Sequence, residues 1–149
     1  MNRILIVDGQ GGGVGRQLVE NIKKEFSDCV VIAVGTNAMA TQSMLKAGAD
    51  HAATGENAVI VGCRKADIIV GPIGIVIADS LWGEITPAMA VSVGQADAVK
   101  ILLPMNQCDN QIVGIEDVSV GRLVQYSIEE IRRIRRSKNN TCHTPENSL

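Results

Sequence analysis

Asp8-Gly9-Gln10-Gly11-Gly12-Gly13-Val14-Gly15 is the stretch of this 149-residue chain whose residue types could do chemistry. Glycine admits left-handed backbone and, lacking a Cβ, lets its amide come close to a ligand. The apolar run Arg3-Ile4-Leu5-Ile6-Val7 before it reads as a strand, and Arg16-Gln17-Leu18-Val19-Glu20-Asn21-Ile22 after it has helical apolar spacing. A glycine loop between strand and helix aims unpaired N–H groups and the positive end of the helix dipole at one point. The guest expected there is an anion, most often phosphate. Asp8 opposes such a guest by its charge, so its expected work is to hold a ribose or a magnesium ion, or to cap the turn.

Two loop patterns share these residues. Gly9, Gly13 and Gly15 give G-x-x-x-G-x-G, which resembles the short-chain dehydrogenase version of the Rossmann fingerprint. Gly12-Gly13-Val14-Gly15-Arg16 resembles the deviant phosphate loop of ParA-like ATPases. A triphosphate loop needs lysine along the β- and γ-phosphates and Ser or Thr on magnesium. Gly11 and Arg16 stand at the lysine positions and Gln17 at the hydroxyl position, and arginine does not substitute for that lysine. The dehydrogenase pattern is incomplete too. A carboxylate normally ends the second strand and binds the ribose, whereas this chain has Ile32-Ala33-Val34-Gly35-Thr36-Asn37, and its one tyrosine, Tyr126, is followed by Ser127-Ile128-Glu129-Glu130 rather than Y-x-x-x-K. Thr36 and Asn37 can still bond a ribose, or meet a 2′-phosphate as neutral donors. The loop therefore predicts a nucleotide or dinucleotide, with NAD or NADP as the cofactor, and no hydride transfer by that family's mechanism. A purely structural glycine turn is the competing reading.

The elements that must position the loop follow from the apolar pattern. Strands are expected near 3–7, 29–34, 51–53, 67–70, 100–104 and 111–115, and helices near 14–26, 38–47, 56–65, 86–96 and 119–136. This alternation predicts an α/β protein, a single three-layer Rossmann-like domain with a mainly parallel sheet. Gly48 reads as a helix C-cap, and Thr86-Pro87 as an N-cap followed by proline at the first helical position. Segment 72–83 is apolar without a clear period and fits a buried helix or an extended lid. The domain is expected to span 1–136, with 137–149 a polar, flexible tail.

Ligands of open parallel sheets sit beyond the carboxyl ends of the strands. That edge should gather Asp8 to Gly15, Thr36, Asn37, Thr54, Gly71, Pro72, Ile73 and Asn106. Each is also an ordinary turn residue. Glu56 at a helix start reads as a favourable charge on the dipole, and Asp79 and Glu84 could supply acid or base groups if their segment folds over the crevice. Cys108 could be a nucleophile, but neither His51 nor His143 has an obvious route to it.

Composition limits the partners. Net charge is −2 and there are three aromatic residues, Phe26, Trp82 and Tyr126, which offers nucleic acid neither a positive field nor a stacking surface. The sequence shows neither a leader nor a run long enough for a bilayer, so a cytoplasmic address is expected. Cys29, Cys63, Cys108 and Cys142 are scattered without C-x-x-C spacing, which predicts free thiols, with Cys29 in the core. The arginines at 132, 133, 135 and 136 read as a solvated basic face near a helix C-terminus. A domain this short encloses little by itself, and a homodimer sharing its crevice is expected.

Beyond the loop, the chain carries Ala33-Val34-Gly35-Thr36-Asn37-Ala38, Ala47-Gly48-Ala49-Asp50, Ala53-Thr54-Gly55-Glu56-Asn57-Ala58, Val70-Gly71-Pro72-Ile73-Gly74 and Gly83-Glu84-Ile85-Thr86-Pro87-Ala88-Met89-Ala90. With Val7 to Gly15, these motifs resemble a family of small bacterial Rossmann-like proteins known as a domain of unknown function, over nearly everything up to the tail. The resemblance implies the fold and a ligand crevice, and no reaction.

Overall fold

The computed structural model describes residues 2–105 and 109–141. Strands β1 (Arg3–Asp8), β2 (Val30–Gly35), β3 (His51–Thr54), β4 (Ile68–Pro72) and β5 (Val99–Leu103) form one parallel sheet in the order β3-β2-β1-β4-β5. The order reverses between β1 and β4. Helices α1 (Gly13–Glu25), α2 (Ala38–Lys46), α3 (Glu56–Lys65), α4 (Pro87–Gln95) and α5 (Val120–Thr141) cover it.

Side-chain alternation along β1 divides the core into two layers. Ile4 and Ile6 pack with Leu18, Ile22 and Met44 of α1 and α2 and with Val124 and Ile131 of α5. Leu5 and Val7 point the other way, onto Val59 of α3 and Met89 and Val93 of α4. Successive strand residues face opposite sides, so β1, apolar at every position from Ile4 to Val7, is the mark of a central strand buried on both faces. Each such side chain contributes about 1.5–3 kcal/mol by leaving water. The result is a single α/β, Rossmann-like domain of three layers.

Local signals account for the helix starts. Thr86 caps α4, accepting the Met89 amide at 3.2 Å, with Pro87 at the first position, and the Asn37 side chain caps α2 through the Ala40 amide at 2.9 Å. Gly48, with φ of 112°, ends α2. Cys29 and Cys63 are free and buried, and burial raises both thiol pKa values. Arg132 and Arg135 of α5 pair with Glu25 and Asp28 at the end of α1, so part of the expected basic face is a clamp between the two helices.

Three expectations about elements change. Residues 111–115 form no strand. The connection from Pro104 is too short for a parallel crossover, which takes a dozen residues or more, and Gly114 turns the chain at φ of 79° while Val113 is 97% exposed. Segment 72–83 is neither a long helix nor an extended lid: Pro72 ends β4, Ile73–Val76 make a short 3-10 helix, and turns follow. Helix α5 continues to Thr141, past its expected end at 136.

Candidate functional site

At the carboxyl edge, the β1–α1 turn opens beside the point where strand order reverses. Gly12 is the N-cap of α1, with φ of 72° and no side chain to satisfy the first helical amides. Asp8 does part of that work from below. One of its carboxylate oxygens accepts the Gly9 amide at 2.8 Å and the other accepts the Gly15 amide, in the first turn of α1, at 2.7 Å. Asp8 thus caps the turn, the last of the three roles its position allowed. Its side chain is buried, and burial pushes its pKa above 3.8; the amides of Gly15 and Gly9 pull it down, and the charge of Glu84 adds to the rise.

The glycines divide by what surrounds them. A Cβ on Gly12 would lie 2.7 Å from the Ala40 backbone, one on Gly15 would lie 2.4 Å from the Met44 sulfur and 2.9 Å from Asp8, and one on Gly9 would lie 2.7 Å from Thr36 Oγ1. Those three are glycine because the fold leaves no room. Gly11 and Gly13 differ: neither has left-handed backbone, and a Cβ on either would meet nothing within 4 Å. The amides of Gly11, Gly13 and Val14 have no hydrogen-bond partner among the described residues. These three residues line an open cavity of about 140 Å³, whose other walls include Pro72, Leu81 and Met105.

Leu81 and Glu84 reach the loop on a strap, residues 77–86, that crosses from the 3-10 helix to α4. Asp79, Leu81 and Trp82 have φ of 63°, 54° and 56°, a left-handed conformation costing about 1–2 kcal/mol per residue. Burial of Leu81 and hydrogen bonds from Ser80 Oγ to the Gly74 carbonyl and from the Asp79 amide to the Ile85 carbonyl hold it down. Glu84 Oε2 accepts the Gln10 amide at 2.9 Å, and Glu84 Oε1 accepts Asn37 Nδ2 at 2.6 Å; Asn37 also donates to the Gln10 carbonyl at 2.9 Å. Thr36 Oγ1 is, among the described residues, the one buried side-chain polar atom without a hydrogen-bond partner.

The structure therefore brings together Asp8 to Val14, Thr36, Asn37 and Pro72. Gly15 and Gly71 are packing positions; a Cβ on Gly71 would lie 2.4 Å from the Val7 carbonyl. Thr54 sits on the edge strand, 2.7 Å from Thr41 Oγ1, and does not line the cavity. Ile73 lies in the 3-10 helix, beside Leu81 but outside this cavity. Asn106 and Cys108 lie outside the described residues. Glu56 Oε2 accepts the Thr86 hydroxyl at 2.5 Å, which fits a charge at a helix start. Sequence reasoning missed Leu81 as a wall and the hold of Glu84 on Gln10; Asp79, Ser80 and Gly83 are the residues of the strap whose types announce a turn.

Three larger cavities lie elsewhere, one of about 300 Å³ between the ends of α3 and α4, one of about 400 Å³ along β5 and one of about 190 Å³ where Pro104 and Met105 meet the start of α5. The first lies at helix C-termini, whose carbonyls repel anions, and its Cys63 is a buried thiol. The second is walled by Leu102, Leu103, Ile115 and Tyr126. None of the three is lined by a run of glycines like that of the loop. No group of His, Cys, Asp and Glu able to hold a metal ion is found among the described residues, and no helix is long and apolar enough to cross a membrane.

No curated protein and no solved structure matches the chain. A family model described as a domain of unknown function, DUF3842, matches residues 3–136. The match covers the sheet, the glycine loop, the strap and most of α5, and the chain belongs to that family.

Proposed function

We propose that this domain binds the phosphate groups of a nucleotide or dinucleotide, of the NAD or NADP kind, on the amides of Gly11, Gly13 and Val14. The observation that carries the reading is the open space at Gly11 and Gly13. The fold explains glycine at positions 9, 12 and 15 but gives no reason for it at 11 and 13, which line the cavity and where a methyl group would meet only open space. Free amides at the start of a 13-residue helix are anion donors. A volume of about 140 Å³ is below the roughly 300–1,000 Å³ of pockets that enclose a whole organic ligand. It suits the phosphates, with the nucleoside lying along the strand ends.

Triphosphate hydrolysis is the less favoured use. No lysine lines the cavity, and Arg16 turns to Glu20 one helical turn on, at 3.0 Å, with both side chains about half exposed. Thermal denaturation with NAD, NADP, ADP, ATP, GTP and FAD tests the binding. A ligand at one hundred times its Kd adds about 2.7 kcal/mol, or roughly 5–11 °C in a chain of this size. No shift with any of them, and no ligand retained in native mass spectrometry, leaves the loop a structural turn. Magnesium-dependent release of phosphate that is lost in Arg16→Ala would reinstate the hydrolase.

A further inference from the structure

The end of β2 lacks the carboxylate that nucleotide-binding sheets of this kind place there, yet a carboxylate occupies the spot. Glu84 arrives from the strap, in a different part of the chain. Its Oε1 stands 2.6 Å from Nδ2 of Asn37, just beyond β2, and its Oε2 stands 2.9 Å from the Gln10 amide of the loop. The same oxygen and Thr36 Oγ1 flank Gly9, at 3.1 and 2.7 Å from where its Cβ would be. We infer that Glu84 supplies the ribose contact of this site and makes it selective for a free 2′-hydroxyl, hence for NAD or ADP over NADP. This rests on the phosphate-binding reading of the loop.

The chemistry follows from what a carboxylate can accept. Its two oxygens offer about four lone-pair positions, and the Gln10 and Asn37 donors use two of them. Ribose hydroxyls are donors that suit the others. A 2′-phosphate has no proton to give at neutral pH and sets like charge against Glu84, with Asp8 close behind. Sites that accept that phosphate do so with a nearby arginine. Here no arginine or lysine pairs with Glu84 among the described residues, and Arg16 is held by Glu20. Asn37 and the Gln10 amide fix the carboxylate from two sides, so it is oriented before a ligand arrives.

Calorimetric titration of the full chain with NAD, NADP, ADP, 2′-deoxy-ADP and inorganic diphosphate tests the assignment, on the wild type and on Glu84→Gln. NAD should bind at least about tenfold tighter than NADP, and ADP should outbind its 2′-deoxy analogue, as expected for a charged hydrogen bond. Glu84→Gln should shrink the NAD to NADP ratio, in which any change in phosphate binding common to both ligands cancels. Equal binding of NAD and NADP to the wild type, or an unchanged ratio in the variant, overturns the assignment. Binding of diphosphate with no nucleotide also overturns it, yet leaves the phosphate cradle standing; no binding of any probe removes both. Should the variant fail to fold, as urea unfolding would reveal, the comparison of ADP with 2′-deoxy-ADP on the wild type decides.

Discussion

Both ends of the sheet use the same contact, a carboxylate accepting backbone N–H groups, with opposite electrostatic results. At the amino end, Asp67 accepts the amides of Asn2 and Arg3, each at 3.0 Å, and Asp50 accepts the Val31 amide at 2.8 Å while pairing with Lys23. Both pKa values are lowered, chiefly by those amides. At the carboxyl end Asp8 also accepts two amides, and its pKa is raised, because burial beneath the loop and the strap outweighs them. The amino-end carboxylates are staples in contact with water that tie strand starts together. Asp8 is a charge held out of water at a cost. Unfavourable groups and left-handed residues such as Leu81 and Trp82 persist where the surrounding fold enforces them, and such places cluster at binding sites.

The comparison is sharpest in the glycines of the carboxyl end, where fold and ligand make separate demands. Gly12→Ala should cost about 2–4 kcal/mol in urea unfolding, from a left-handed backbone and a contact with the Ala40 backbone that neither side can yield. Gly11→Ala should change stability by less than about 0.5 kcal/mol. If the two variants lose equal stability, the division between packed and open glycines fails. Gly13→Ala comes next in size. It should leave the apo protein as stable as the wild type, or slightly more so because alanine favours helix over glycine by about 1 kcal/mol. Affinity for diphosphate or NAD should fall about tenfold or more, equal to about 1.4 kcal/mol. Unchanged affinity in calorimetry would make Gly13 an incidental glycine.

At the amino end the effects should be smaller and purely structural. Asp67→Ala removes the acceptor for the Asn2 and Arg3 amides, which water can reach, so a loss of about 1 kcal/mol is expected in urea unfolding at neutral pH. Nucleotide affinity should not move. A loss of affinity in Asp67→Ala would show that the two ends are coupled through β1 and β4.

How much of this was legible in the sequence differs in the same way from place to place. The β1–α1 unit could be read because an apolar run too continuous for a half-exposed strand meets a glycine loop and then a helical period. The course of the strap could not be read: Asp79 tolerates left-handed backbone, but at Leu81 and Trp82 it is imposed by burial of Leu81 and by the bonds around it, and neither residue type announces it. Residues 111–115 misled because β-branched residues suggest a strand wherever they occur, and only the short connection after β5 denies it a place in the sheet. Gly11 and Gly12 are identical letters. Only the neighbourhood of each, Ala40 beside one and open space beside the other, tells which serves the fold.

The smallest effect expected is in the pH dependence of stability, and its sign tests the difference between the two ends of the sheet. An acid whose pKa is higher in the fold than in the unfolded chain binds its proton more tightly when folded. Its favourable share of stability is complete below the unfolded value and is lost as pH rises through the folded one. Asp8, raised from 3.8, is of this kind. Asp50, lowered from 3.8, is the reverse: its share is complete above that value and is lost as pH falls through the folded one. Asn at either position keeps the shape and one acceptor and removes the titration. As pH falls from about 7 towards 4, the wild type should therefore gain stability relative to Asp8→Asn, while Asp50→Asn should track it. Below 3.8 the wild type should instead lose its advantage over Asp50→Asn. Urea unfolding of the three proteins across that range checks both signs. If the Asp8→Asn difference moves the way the Asp50→Asn difference does, the loop amides outweigh burial at Asp8, and the two ends of the sheet are held by one device rather than two.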